Sequence, residues 1–306
     1  MNQSVKRLAL KIDVDTYRGT LRGVPALLEL LQKHEAQATF LFSLGPDHTG
    51  RAIKRAFRPG FMKKVKRTSV VEHYGLMTLM YGTLLPGPDI GKRCADVLRR
   101  VRDAGYEVGI HCWDHVRWQD GVATADNTWI EAEMGKACQR FEEIFGEKPR
   151  THGAAGWQMN RHALRLTQRY GFTYSSDSRG GSPFMPVIDG EIVACPQLPT
   201  TLPTLDELIG VDGLTTDNVA DHLLQLTATA CTDQVFTLHA ELEGMKLITV
   251  LDKLLAGWKT QGYELVATRD IFATLELKNL PRREVLFAEI PGRAGKLFVP
   301  GPEFPG

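Results

Sequence analysis

The 306-residue chain contains no Cys-x-x-Cys pair; its five cysteines, Cys94, Cys112, Cys138, Cys195 and Cys231, are scattered and odd in number. That argues against a secreted disulfide framework and against a zinc site closed by paired thiolates, and it favours a reducing cytosol. No apolar run approaches the roughly twenty residues of a spanning helix. Leu8-Ala9-Leu10, interrupted by Lys11, is too short for the apolar core of a signal peptide. The expectation is a cytoplasmic protein, soluble or peripheral to the inner face of a membrane. An excess of charge of one sign is also missing. The formal net charge of +1 speaks against wholesale nucleic-acid binding, while leaving room for a local patch. Repeats and low-complexity stretches are absent, and the 43% hydrophobic content is ample for a large core.

What is present is an alternation of short apolar runs with longer helical patterns, the signature of parallel strands joined by crossover helices. Strands are expected at Leu8–Val14, Ala38–Phe42, Glu107–Ile110, Phe172–Ser176, Val193–Leu198, Val235–Leu238 and Tyr263–Ala267, each bounded by Gly, Pro, Asp or Ser. Pro25 suits the first turn of a helix over Ala26–Gln32. A second helix, Trp129–Phe145, carries Ile130, Met134, Ala137, Phe141 and Ile144 at helical spacing and stops at Gly146, and Tyr170-Gly171 ends a third. After about Leu277 the chain turns Pro/Gly-rich and charged, and residues 278–306 read as an extended appendage to a domain spanning 1–277.

Asp13-Val14-Asp15 closes the first strand, and His111-Cys112-Trp113-Asp114-His115 follows about a hundred residues later. Side chains alternate along a strand, so both carboxylates can point one way, and histidines four apart can share the face of one helical turn. One carboxylate and two imidazoles form a ligand set, and three protein ligands with an open position suit a metal that activates water. Taken singly, each piece has an ordinary reading: strand-end aspartates cap helices, and histidines are often core or surface residues. Position favours the combination. Asp13, Asp15, His111, Asp177 and His239 all fall at C-terminal ends of expected strands, which form one rim of a parallel barrel. His34, His48, His73, His152, His162 and His222 receive the ordinary reading, with His152 the least settled. Trp113, Trp118 and Trp157 suit either a sugar pocket or core packing.

A second feature is independent of that set. Arg51, Lys54, Arg55, Arg58, Lys63, Lys64, Lys66 and Arg67 run without an acid and interleave with apolar residues. Beyond them Ser69 and Glu72 can form a capping box, and Val70, Tyr74, Met77, Tyr81 and Leu84 recur at helical spacing. A solvated basic face is the commoner meaning of such a run. This one lies in a long insertion, about 47–90, and its composition suits a segment lying on anionic lipid, with Lys63, Lys64, Lys66, Arg67, Tyr74, Met77 and Tyr81 as the contacts.

The strand-end set resembles the polysaccharide deacetylase (NodB-homology) superfamily, over roughly Leu8 to Leu277. The resemblance implies an α/β fold, a distorted (β/α) barrel here carrying the basic, amphipathic helical insertion. It also implies metal-dependent hydrolysis of N-acyl sugars. Asp13 maps onto the base, and Asp15, His111 and His115 onto the metal ligands. His239, after Leu238, maps onto the general acid, and Asp177 onto the aspartate that orients that acid. The family's third motif usually supplies an arginine to the base; here stands Gly153-Ala154-Ala155-Gly156-Trp157, and Arg179, close to Asp177 in sequence, is expected to supply the missing charge.

The strings Lys11-Ile12-Asp13-Val14-Asp15-Thr16-Tyr17-Arg18-Gly19-Thr20, Ser176-Asp177-Ser178-Arg179-Gly180, Leu198-Pro199-Thr200-Thr201-Leu202-Pro203-Thr204 and His239-Ala240-Glu241-Leu242-Glu243-Gly244 are similar to one branch. These are the bacterial 4-deoxy-4-formamido-L-arabinose-phosphoundecaprenol deformylases of lipid A modification. That branch implies a formamido-sugar on undecaprenyl phosphate as substrate, with Tyr17, Arg18, Trp113, Trp157, Arg179 and Glu241 as residues facing it. It implies an anionic membrane surface as partner and names no protein or nucleic acid. Zinc suits the ligand types, and cobalt, manganese or nickel would also be accommodated. A polysaccharide or oligosaccharide deacetylase is the rival enzyme, and a non-catalytic lipid- or sugar-binding protein stabilised by its metal is the rival of another class.

Overall fold

A computed structural model describes residues 6–52, 76–293 and 295–305. Its centre is a seven-stranded parallel sheet built of β1 (Lys6–Val14), β2 (Thr39–Ser43), β3 (Glu107–Cys112), β4 (Thr151–His152), β5 (Tyr174–Ser175), β8 (Gln234–His239) and β9 (Tyr263–Val266). The order runs β5-β4-β3-β2-β1-β8. β9 takes the lower half of the β1 edge whose upper half pairs with β2. Alternation divides the core: Leu8, Leu10, Ile12 and Val14 join the large cluster, and Ala9 joins a small one with Tyr174, Leu198, Val235, Val266 and Ile271 inside the curved sheet. On the outside pack α1 (Val24–Lys33), α2 (Ala95–Asp103), α3 (His115–Gly121), α4 (Asn127–Phe145), α5 (Arg161–Arg169), α6 (Val219–Ala228) and α7 (Ile248–Thr260).

The sheet is not closed by hydrogen-bonded strands. Between β5 and β8 the gap is bridged by residues 197–202: Leu198 N–H donates to Ser175, and Thr201 and Leu202 N–H both donate to Val235. This corrects the strand expected at Val193–Leu198, where only isolated bridges form. Pro196 and Pro199 have no N–H to donate, so a continuous ladder cannot run there. The result is the distorted barrel that was expected.

The expected helices are present. Pro25 occupies the first turn of α1, α4 stops at Gly146 with φ 72°, and α5 ends before Gly171 with φ 75°. The reading of 278–306 as an appendage is corrected. Two strands, β10 (Arg282–Glu289) and β11 (Lys296–Glu303), form an antiparallel hairpin, and β10 pairs in parallel with β6 (Met185–Ile188), which carries β7 (Glu191–Ile192) on its other edge. Phe298 of the hairpin is buried against Phe184. Alternating, half-buried residues hid this sheet among charges and prolines. Of the expected lipid contacts, Lys63, Lys64, Lys66, Arg67 and Tyr74 lie outside the described residues; Met77 is exposed and Tyr81 half-buried.

Candidate active site

Asp13 and Asp15 reach the rim from β1 and the residue beyond it. The parallel register of β1 on β8 makes Asp13 and His239 direct partners, and Ala240 N–H donates to Asp13 O at 3.0 Å. His111 comes from the end of β3. His115 does not share its helical turn, as its spacing suggested. His111 is a strand residue and His115 opens α3, because Asp114 at φ −126° caps that helix by accepting from Arg117 N–H at 3.1 Å. The strand–helix corner stacks the two rings with centroids 5.3 Å apart.

These side chains converge. Asp15 Oδ1 lies 3.2 Å from His111 Nε2 and Asp15 Oδ2 3.4 Å from His115 Nε2, and one ligand atom from each of the three residues lies within 4.8 Å of the others. His111 Nδ1 is 2.6 Å from Gly153 O, so Nδ1 carries the proton and the Nε2 lone pair, facing Asp15, is left to ligate a metal. Asp15 Oδ1 is buried with no hydrogen-bond partner. Burial would push the Asp15 carboxyl up, but His115, His111 and His239 outweigh it and hold it well below the usual carboxylate range. Burial opposes charge on His111 too, and there Asp13 and Asp15 raise its pKa instead. An orphaned carboxylate oxygen and two inward imidazole nitrogens fit a divalent cation and are unfavourable without one.

Around the three ligands stand the other ionisable groups. Asp13 is nearly buried; its Oδ2 lies 3.5 Å from Lys11 Nζ, and its Oδ1 has no hydrogen-bond partner. His239 is half-buried, and its Nδ1 also lacks a partner. Asp177 does not orient His239. Its Oδ1 takes His152 Nδ1 at 2.7 Å and Ala154 N–H at 2.9 Å, and its Oδ2 takes Gln197 Nε2 at 3.1 Å. This corrects the assigned role: β4 and β5 are neighbours, so His152 rather than His239 is the histidine paired with Asp177.

Arg179 does not reach Asp13 either. It pairs with Glu207 at 2.5 Å and lies over the Trp157 ring at 4.9 Å, while the cation beside Asp13 is Lys11. Trp157 is 1% exposed and holds φ 54°, next to Gly156 at φ 61°. It is a packing residue with its Nε1–H on Thr200 Oγ1 at 3.2 Å. Trp118 is buried likewise, and Trp113 is half-buried under the Arg140 guanidinium.

Glu241, expected to face a sugar, braces the aspartate loop instead. One oxygen accepts from Asp15 N–H, Thr16 N–H and Thr16 Oγ1–H at 3.0, 2.7 and 2.8 Å. Gly19 is glycine for the same reason, since a Cβ there would fall 2.0 Å from that oxygen. Tyr17 and Arg18 are half-buried beside this loop, with Tyr17 N–H on Asp47 Oδ2 at 2.9 Å.

Two residues escaped the sequence reading. Glu243 accepts from His239 N–H at 2.7 Å, and burial pushes its carboxyl up to about 7. It sits in a π-helical turn, Leu242–Lys246, that packs against a second such turn, Gly19–Gly23, a geometry that often marks functional sites. Lys11 is the other. Its signal was visible as a charge at an inward position of an otherwise apolar strand, two residues before Asp13.

The sequence profile of the polysaccharide deacetylase family matches residues 2–175. A protein of Shewanella sediminis named probable 4-deoxy-4-formamido-L-arabinose-phosphoundecaprenol deformylase ArnD is 39% identical over 295 residues, covering 96% of this chain and 95% of its own length. One of the same name from Wigglesworthia glossinidia brevipalpis is 32% identical and covers 90% of this chain and 96% of its own. Among solved structures, a putative polysaccharide deacetylase from Mycobacterium smegmatis superposes with a TM-score of 0.62 at 17% identity, covering 94% of this chain and 96% of that one, which is a likeness of fold.

Proposed function

Because the chain belongs to the polysaccharide deacetylase family, we propose that it hydrolyses the formamide of 4-deoxy-4-formamido-L-arabinose carried on undecaprenyl phosphate, releasing formate and the free amino-sugar lipid. The observation that carries this reading is the 39% identity, spanning both chains almost entirely, to a protein named for that reaction. The residues at the rim suit an amide hydrolase.

Asp15, His111 and His115 would hold a divalent metal, for which zinc suits the His/Asp donors. When bound, such an ion polarises the amide oxygen and lowers the pKa of water. Asp13, a carboxylate at the rim, takes the proton of the attacking water as the water oxygen bonds to the formyl carbon. His239, the register partner of Asp13, gives a proton to the sugar nitrogen as the C–N bond breaks. Amide nitrogen leaves poorly unless protonated, so the acid is as necessary as the base.

The test is formate release. Purified protein supplied with formamido-arabinosyl and N-acetylglucosaminyl polyprenyl phosphates should release formate from the first and little acetate from the second. Acetate without formate would make it a deacetylase. No release from either by metal-replete protein would favour a non-catalytic binding role.

We also infer a peripheral site of action on the cytoplasmic face of an anionic membrane, from the lipid-linked substrate and the basic run Arg51 to Arg67. No helix among the described residues is long and apolar enough to cross a membrane. Changing Lys63, Lys64, Lys66 and Arg67 together to Gln should weaken binding to anionic vesicles strongly, at about 1 kcal/mol per charge, and leave binding to neutral vesicles unchanged. A short, water-soluble formamido-sugar phosphate should be hydrolysed at the parent rate. Unchanged vesicle binding, or equal loss on both substrates, counts against the inference.

A further inference from the structure

Lys11 is a fully buried ammonium in the middle of β1, facing the inside of the barrel. Burying a charge is costly unless it is paired, so its surroundings indicate what it is there to do. Three groups face it. Ser176 O accepts from Nζ at 3.1 Å, the Trp157 ring lies 5.3 Å away, and Asp13 Oδ2 lies at 3.5 Å. Among the described residues Asp13 is the one carboxylate paired with Lys11, and its other oxygen has no hydrogen bond. The ammonium therefore sits at one oxygen of Asp13, while the other, 3.8 Å from His111 Nδ1, makes no hydrogen bond.

Space is reserved for it. A Cβ at Gly153 would lie 3.0 Å from Lys11 Cε, 3.3 Å from Nζ and 2.3 Å from Leu41 Cδ1, so the glycine keeps open the slot that the lysine head fills. Trp157, under Lys11, is itself held by Arg179 and Arg293 on its ring, and Arg293 comes from the loop of the C-terminal hairpin.

We propose that Lys11 is a positioning residue for the reaction: its ammonium holds the Asp13 carboxylate in place by one oxygen and leaves the other turned to the site. This rests on the reading of Asp13 as the base and deepens it. A lysine two residues from its partner on the same strand face requires no loop to be ordered first, because the strand itself sets the separation.

The test is a double-mutant cycle on metal-replete protein, with Lys11→Met, Asp13→Asn and the pair. Lys11→Met keeps length and apolar bulk and removes the charge; kcat should fall about 10²-fold, as for loss of a positioned proton-transfer group, with KM within about twofold. In the Asp13→Asn background the same change should add almost nothing, because the residue through which Lys11 acts is gone. Lys11→Gln, which can still donate to Ser176 O, should lose as much kcat as Lys11→Met.

A second readout needs no turnover. Metal-free Lys11→Met, titrated with zinc against a competing chelator, should bind at least as tightly as the parent, since a positive charge near the ion has been removed. Several results overturn the proposal: kcat of the Gln variant within about threefold of the parent, losses that add in the double variant, or weaker zinc binding. A near-normal rate for Asp13→Asn alone would instead bring down the reading of Asp13 as base, so the two failures are told apart.

Discussion

Where β2, β3 and β5 begin, the buried carboxylate of Glu107 has both oxygens engaged. Tyr174 OH donates to one at 2.7 Å, and Thr39 Oγ1, Thr268 Oγ1 and Arg269 N–H converge on the other at 2.5, 3.2 and 3.1 Å. Where β1 and β8 finish, burial is as deep, but Asp13 Oδ1, Asp15 Oδ1, His239 Nδ1, Glu241 Oε2 and Glu243 Oε1 have no hydrogen-bond partner. One sheet thus carries a satisfied polar cluster and an unsatisfied one. A satisfied network contributes rigidity, and an unsatisfied one is costly unless something from outside completes it. The difference is consistent with a candidate site at the C-terminal rim.

The sharpest test of that contrast is to remove a rim ligand. Asp15→Ala, His111→Ala or His115→Ala should abolish both metal binding and formate release while the protein stays folded. Elemental analysis showing a full equivalent of metal in any of them would break the comparison. Next in size, Asp13→Asn and His239→Ala should keep the metal and lose roughly 10²-fold or more in kcat. Metal loss in the Asp13 variant would move Asp13 among the ligands.

The opposite end should respond the opposite way. Glu107→Ala removes the carboxylate on which Tyr174, Thr39 and Thr268 hydroxyls and Arg269 N–H converge and should cost about 3 kcal/mol in urea unfolding, with kcat of the folded protein unchanged within about twofold. A fall in kcat without a fall in stability would erase the distinction between the two ends.

The smallest effect is a pH dependence. Burial raises Glu243 from its ordinary 4.5 to about 7. Between those values the folded protein holds a proton that the unfolded chain has released, so this group's contribution to stability falls as pH rises from 4.5 to about 7. Glu243→Gln removes the penalty. Relative to the parent it should gain stability steadily from pH 4.5 to about pH 7 and level off above that, read from unfolding midpoints. A constant difference across that range would mean that Glu243 is not buried as a titrating acid.

Much of the molecule was legible because it depends on short-range geometry. Alternation placed Asp13 and Asp15 on one face at the end of β1, apolar runs located β1, β2, β3, β8 and β9 within a residue or two, and Pro25, Gly146 and Gly171 punctuated their helices. The candidate site residues Asp13, Asp15, His111 and His239 were visible because strand ends are marked by a change in composition, and in a parallel barrel all such ends lie on one side; His115 followed from its spacing to His111.

Partnership was not legible. The carboxylate of Asp177 could have served His239, 62 positions on, or His152, 25 positions back, and only the adjacency of β4 and β5 chose His152. Arg179 was the expected cation for Asp13, but Glu207 holds it and Lys11 stands beside Asp13 instead. The C-terminal hairpin looked like an appendage because half-buried strands carry charges and prolines on their open face. The sequence by itself determined which residues face inward at the ends of strands, since that follows from a two-residue period. Only the tertiary structure decided which inward groups are satisfied and which are left open, because hydrogen bonds and ion pairs within a few ångströms depend on strand order and register across the whole chain.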